Sequence, residues 1–147
     1  MPRLPRVAFV SLFNPHQGGY QWSGTNKFLF QTMRNVFADA FYADIGQRYN
    51  LRYGAARAYH KLARRLGRRS GHVYADDGYC HFLGQRLERA LRGKQYDAVV
   101  SITPTPLRYF ACDRPVVLFS DCTWRNIVNY YDVFSNLTDD AIAVGDE

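Results

Sequence analysis

No apolar run in the chain approaches the ~18 residues that a bilayer-spanning helix needs, and stretches such as Val116–Phe119 fall far short of it. Met1–Arg6 leads directly into a strand-like run, so neither a signal peptide nor a transmembrane helix is expected. Cysteine is sparse. Cys80, Cys112 and Cys122 are odd in number and include no C-x-x-C pair, which argues against a disulfide framework and predicts reduced thiols in a cytoplasmic protein. Low-complexity tracts are missing too, while 11 Tyr, 10 Phe and 2 Trp supply more large apolar rings than a solvating tail carries, which excludes disorder as the main state. The chain has no Walker A loop, no G-x-G-x-x-G and no G-x-S-x-G, so neither a P-loop nucleotide site nor a hydrolase elbow is supported.

Acid is absent from one segment. Between Arg48 and Arg69 stand eight of the chain's 19 Lys and Arg with no Asp or Glu, whereas from Asn126 onward there are acids and no Lys or Arg. The net charge of +6 is therefore local, and a local basic face attracts phosphorylated ligands, anionic lipid or nucleic acid.

What is present is a globular pattern of 147 residues, 47% hydrophobic, enough for one domain with an ordinary core. Arg6–Leu12 (RVAFVSL) reads as a buried strand that ends in a loop bearing Gly18-Gly19. A helix follows Ser23, with Phe28, Leu29, Met33, Val36 and Phe37 at helical spacing, and Ala40–Ile45 is a second strand closed by Gly46. The basic segment predicts an amphipathic helix with Ala55, Tyr59, Leu62, Ala63 and Leu66 inward, stopped by Gly67. HVYADDG reads as a short extended piece, and Tyr79–Lys94 as a helix with Leu83, Leu87, Ala90 and Leu91 inward. Asp97–Thr103 and Pro115–Ser120 are further strands, and Thr123–Phe134 a helix. Short apolar strands alternating with amphipathic helices predict an α/β fold, a Rossmann-like parallel sheet flanked by helices.

In such a sheet ligands bind beyond the strand carboxyl ends, which selects the loops Phe13–Gly24, Thr103–Thr105 and Ser120–Thr123. In the first, Gly18 and Gly19 let backbone approach a ligand while Ser23, Gly24 and Thr25 open a helix whose free N–H groups favour an anion; the plain alternative is a loop that needs positive φ. Asp121 stands where a carboxylate can take a proton from a substrate hydroxyl, or else N-caps the helix near Thr123. Should it be a cap, His16 on the first loop is the next catalytic candidate. Thr103 and Thr105 offer hydroxyls between Pro104 and Pro106, and Ser120 one beside Asp121. His72, Asp76, Asp77, Cys80 and His81 crowd ten positions without a zinc spacing, so no metal site is assigned. Arg57, Lys61, Arg64, Arg65 and Arg68 form either a solvated face or a peripheral contact with anionic membrane; nucleic acid is not expected, because no stacking platform or nucleic-acid motif accompanies the charge.

The succession of a strand, the Gly18-Gly19 loop, Trp22-Ser23-Gly24-Thr25 opening a helix, then PVVLFSDCTW and NYYDVFSNLT, resembles the amino-terminal half of GT-B glycosyltransferases of the family-four-like group, from Arg6 to about Thr138. The resemblance implies one half of a GT-B architecture: an acceptor-binding Rossmann-like domain facing a second domain that holds most of a nucleotide-sugar donor. It also implies retention of anomeric configuration, a sugar or lipid-linked acceptor, and no metal or other cofactor. Gly18, Gly19, Ser23, Gly24 and Thr25 then fall near donor phosphates or the transferred sugar, and Asp121 faces the acceptor. Many relatives carry a His after that strand, where this chain has Ser120-Asp121. The last segment begins as a helix and ends without a closing turn, so residues 1–147 are expected to be one domain of a longer two-domain protein, inactive alone. The rival expectation is a non-catalytic α/β module that binds a phosphorylated ligand or an anionic membrane surface.

Overall fold

The computed structural model describes residues 4–17, 24–37, 39–46 and 51–146. Four strands form one sheet: β1 (Arg6–Val10), β2 (Asp39–Ala43), β3 (Ala98–Ser101) and β4 (Val116–Leu118), in the order β2-β1-β3-β4 with every pairing parallel. The helices are α1 (Thr25–Val36), α2 (Leu51–Arg65), α3 (Asp77–Leu91), α4 (Trp124–Ile127) and α5 (Asp139–Asp146). The fold is the α/β, Rossmann-like arrangement that the alternation predicts.

Parallel strands cannot be joined by tight turns, so each connection carries helix or loop across the sheet. From β1 the chain passes through α1 to β2 on one side, then returns through α2 and α3 to β3 on the other. Crossovers of one hand that run in opposite directions place their helices on opposite faces. Accordingly Val7 and Phe9 pack with Phe30 and Met33 of α1, while Ala8 and Val10 pack with Leu83, Leu87 and Leu91 of α3. The aromatic pair Phe9–Phe30, with ring centroids 5.2 Å apart, anchors the first of these layers.

Several predicted faces are turned differently. In α1 the buried side chains are Asn26, Phe30 and Met33, and Phe28 and Val36 are exposed. In α2 the buried residue is His60, with Tyr53 and Ala56 partly covered, whereas Tyr59, Leu62 and Leu66 point to solvent. The protein-facing side of α2 is thus about 120–180° from the leucines by helical phase. Gly67 does stop this helix: at φ +67 it lets the Gly67 and Arg68 amides donate to the Arg64 and Ala63 carbonyls, at 2.9 and 3.0 Å. Residues 73–75 of HVYADDG form a 3-10 turn instead of an extended piece, and Asp76 caps α3 by accepting from the Tyr79 amide at 2.8 Å. The helix expected over Thr123–Phe134 breaks after α4, because Asn129 takes a left-handed φ of 62, and only a 3-10 turn at Asp132–Phe134 follows. β4 is paired but uncovered, with Val116, Val117 and Leu118 all exposed.

The stretch before α5 docks on the α2–α3 connection. Arg69 grips Asp139 with both guanidinium nitrogens, at 2.7 and 3.3 Å, and its Nε donates to the Leu137 carbonyl at 2.8 Å. Ser70 and Leu137 form a parallel bridge, which brings His72 against Trp124 and Phe134 with ring centroids 6.0 and 4.6 Å away. Burial, the Arg64 charge and His60 together depress the His72 imidazole to about 4, and its Nδ1 accepts from the Tyr74 amide, which fixes it neutral. His60 is also lowered, by burial that outweighs the attraction of Asp76, whose Oδ2 is 3.7 Å from Nε2. A depressed imidazole means that the unfolded chain binds more protons than the folded one between the two values, so stability falls as pH drops from about 6.5 toward 4. Urea unfolding should lose about 2–3 kcal/mol over this window beyond what a His72→Gln variant loses. Parallel pH profiles for wild type and variant would contradict the assignment.

Candidate functional site

Because every strand runs the same way, all four carboxyl ends lie along one rim of the sheet. At that rim the order β2-β1-β3-β4 reverses direction between β1 and β3, and loops that leave neighbouring strands toward opposite faces open a crevice between them. The loop after β1 carries Asn14 and His16, and the loop after β3 carries Thr103 and Thr105.

Both loops are braced by buried serines. Ser11 Oγ accepts from the Phe13 amide at 3.0 Å. Ser101 Oγ donates to the Thr103 carbonyl at 2.7 Å and accepts from the Thr103 amide at 3.3 Å. Thr103 Oγ1 in turn donates to Thr105 Oγ1 at 3.3 Å, with Thr105 buried and Thr103 half-buried. On the β1 side the Asn14 carboxamide accepts from the His16 amide at 2.9 Å, and the His16 ring stands edge-on to Phe30 and Tyr42, 5.2 and 6.3 Å between centroids. Tyr42 donates its hydroxyl to the Ser11 carbonyl at 3.3 Å, and burial, reinforced by Asp44, raises its pKa, so it stays protonated.

Gly24 holds the N-cap of α1 at φ +83 and provides no side-chain cap, and no acid lies in the first turn, so the amide end of α1 carries no built-in anion. Thr25, the first residue of the helix, is half-buried. Gly18, Gly19 and Ser23 lie outside the described residues. Asn26, which the sequence reading passed over, is buried with its amide nitrogen donating to the Phe13 carbonyl at 2.7 Å, while its Oδ1 meets no hydrogen-bond partner among the described residues. An Asn one residue into a helix that opens from a loop is the signal the sequence offers for it.

Ser120 and Asp121 follow β4, at the same rim but two strands from β1, about 10 Å away at ordinary strand spacing. Asp121 does not cap the next helix: Thr123 occupies that position without a side-chain bond. The Asp121 carboxylate is exposed and accepts from the Cys122 thiol at 3.4 Å; partial burial, and then this contact, raises the thiol pKa. Ser120 Oγ donates to the Cys122 carbonyl at 2.6 Å, shaping the turn that presents Asp121. The described residues hold no group of three His, Cys, Asp or Glu arranged for a metal. His72 is packed among rings, and Asp77 receives the Tyr109 hydroxyl and lies 3.7 Å from Arg108.

An open concavity of about 510 Å³ lies at the other end of the sheet, beside the amino ends of β1 and β2. Its charges satisfy each other, Arg6 meeting Asp39 at 3.1 Å and Gln95 at 3.2 Å, and Lys94 covers the Phe41 ring. Compared with models of known families, with curated proteins and with solved structures, the chain matches none.

Ser101 is the structural keystone of the rim on the β3 side. Ser101→Ala leaves the Thr103 amide without its acceptor and should lower stability by about 1–2 kcal/mol in urea titration, with faster amide exchange at Thr103. Unchanged stability and exchange would mean that the Thr103 loop holds its shape without this hydroxyl.

Proposed function

We propose that the chain is the acceptor-side domain of a nucleotide-sugar-dependent, retaining glycosyltransferase of the GT-B kind. The observation that carries this reading is the reversal of strand order between β1 and β3, with a helix amino end on one side and a hydroxyl-bearing loop on the other. A sugar acceptor presents many hydroxyls and little charge, which suits recognition by short polar groups such as Asn14, Thr103 and Thr105. The amide end of α1 supplies the partial positive charge that favours a donor phosphate as charge develops on it. Most of the donor is held by a second domain in this reading, and the acceptor is a sugar or a lipid-linked sugar.

Asp121 is assigned to the acceptor hydroxyl, as a carboxylate that orients it or draws off its proton. Its exposure and its freedom from any capping bond support a role outside local structure. His16, on the loop after β1, is the alternative proton acceptor. In the two-domain enzyme, Asp121→Asn should lower turnover by roughly 10²–10⁴-fold with donor affinity and folding unchanged. Near-normal turnover at saturating acceptor would move the role to His16, and absence of sugar transfer from every common nucleotide-sugar donor by the unaltered enzyme would remove the glycosyltransferase reading.

A further inference from the structure

Helix α2 carries its apolar stripe on the wrong side for a core. Leu51, Tyr59, Leu62 and Leu66 are between 58% and 89% exposed, while His60 is the residue turned to the protein. At 100° per residue, Leu51, Ala55, Leu62 and Leu66 fall within about 60° of the direction opposite His60. The stripe runs about 23 Å from Leu51 to Leu66, at 1.5 Å per residue.

Charge decides what this stripe fits. Lys61 and Arg65 lie on one flank of it, both exposed, and Arg68 follows just beyond the helix. Two other cations of the cluster are spent internally, Arg69 on Asp139 and Arg64 on the Ser70 hydroxyl at 3.4 Å. No acid stands anywhere between Arg48 and Arg69. A second copy laid along the stripe would bring two such cationic flanks together, and like charges at an interface are repulsive. An apolar stripe bordered by cations instead matches a layered surface, acyl chains beneath and anionic headgroups at the edge. No helix among the described residues is long and apolar enough to cross a membrane, so the contact lies in the plane of the surface.

We propose that α2 is an in-plane membrane-docking helix that inserts Leu51, Tyr59, Leu62 and Leu66 into an anionic lipid surface while Lys61 and Arg65 pair with its headgroups. The docking stands independently of the glycosyltransferase reading, because it uses α2 and not the carboxyl rim. It leaves the rim loops free to meet a ligand in solution or one carried on lipid.

Co-sedimentation with vesicles tests it on the chain as it stands, using phosphatidylcholine alone and phosphatidylcholine with about one third phosphatidylglycerol. Binding should require the anionic lipid and weaken as salt shortens the screening length from about 10 Å at 0.1 M to about 3 Å at 1 M. Replacing Lys61 and Arg65 together by Gln should weaken binding by roughly 30-fold, at about 1 kcal/mol per charge near the surface. Leu62→Gln with Leu66→Gln should weaken it by more than about tenfold while leaving charge and urea midpoint unchanged, since both sites are exposed. Failure to bind, equal binding to both vesicle types, or wild-type binding by the leucine variant would each overturn the proposal. A concentration-dependent dimer in lipid-free sedimentation that the leucine variant abolishes would assign the stripe to a second copy and overturn it too.

Discussion

The structure depends on one strand. β1 is hydrogen-bonded along both edges and buried on both faces, and Val7, Ala8, Phe9 and Val10 are all closed to solvent. A strand in that position accepts no polar side chain without an internal partner, which is why its sequence is an uninterrupted apolar run. The consequence is geometric: polar chemistry is displaced to the point where β1 ends. There Ser11, still fully buried, turns its hydroxyl on its own backbone, and Asn14 and His16 follow once the chain reaches the rim. The reversal of strand order beside β1 then gives this rim a crevice instead of an even edge.

A second organising feature is the asymmetry of α2. Its inner side carries His60, whose pKa burial lowers, and His60 acts on His72, which packs with Trp124 and Phe134. Its outer side carries the leucines. Arg69 and Asp139 tie the end of the basic segment to the start of the acidic one, so the opposed charges of the chain's two segments meet in one exposed ion pair. Such an exposed pair contributes only modestly to stability.

Secondary structure and sheet type were legible because β-branched runs, turn glycines and helical spacing are local signals. RVAFVSL and DAVVSIT each contain an observed strand, AFYADI overlaps β2 from its second residue on, and Leu83, Leu87 and Leu91 do face the core. Which apolar stripe of a helix faces inward is not local. In α1 two overlapping sets compete, Phe28 with Val36 against Phe30 with Met33, and only packing against Phe9 decides for the second. In α2 the leucine stripe is the stronger periodic signal and is nonetheless exposed, since its direction is set by what His60 and Tyr53 meet across the chain. The rim loops could be located from the rule for parallel sheets. The Ser101–Thr103–Thr105 chain of hydroxyls and the unpartnered Asn26 oxygen needed coordinates, because each joins atoms whose relation depends on loop conformation.

The central claim is that ligand meets the carboxyl rim at the β1–β3 reversal. Backbone amide chemical shifts followed while nucleotide sugars and simple glycosides are added address it directly, since the rim and the opposite concavity have separate reporters. The account predicts perturbations at Asn14, His16, Asn26, Thr103 and Thr105. Perturbations confined to Arg6, Asp39, Lys94 and Gln95 would contradict it, placing the ligand at the amino ends of the strands.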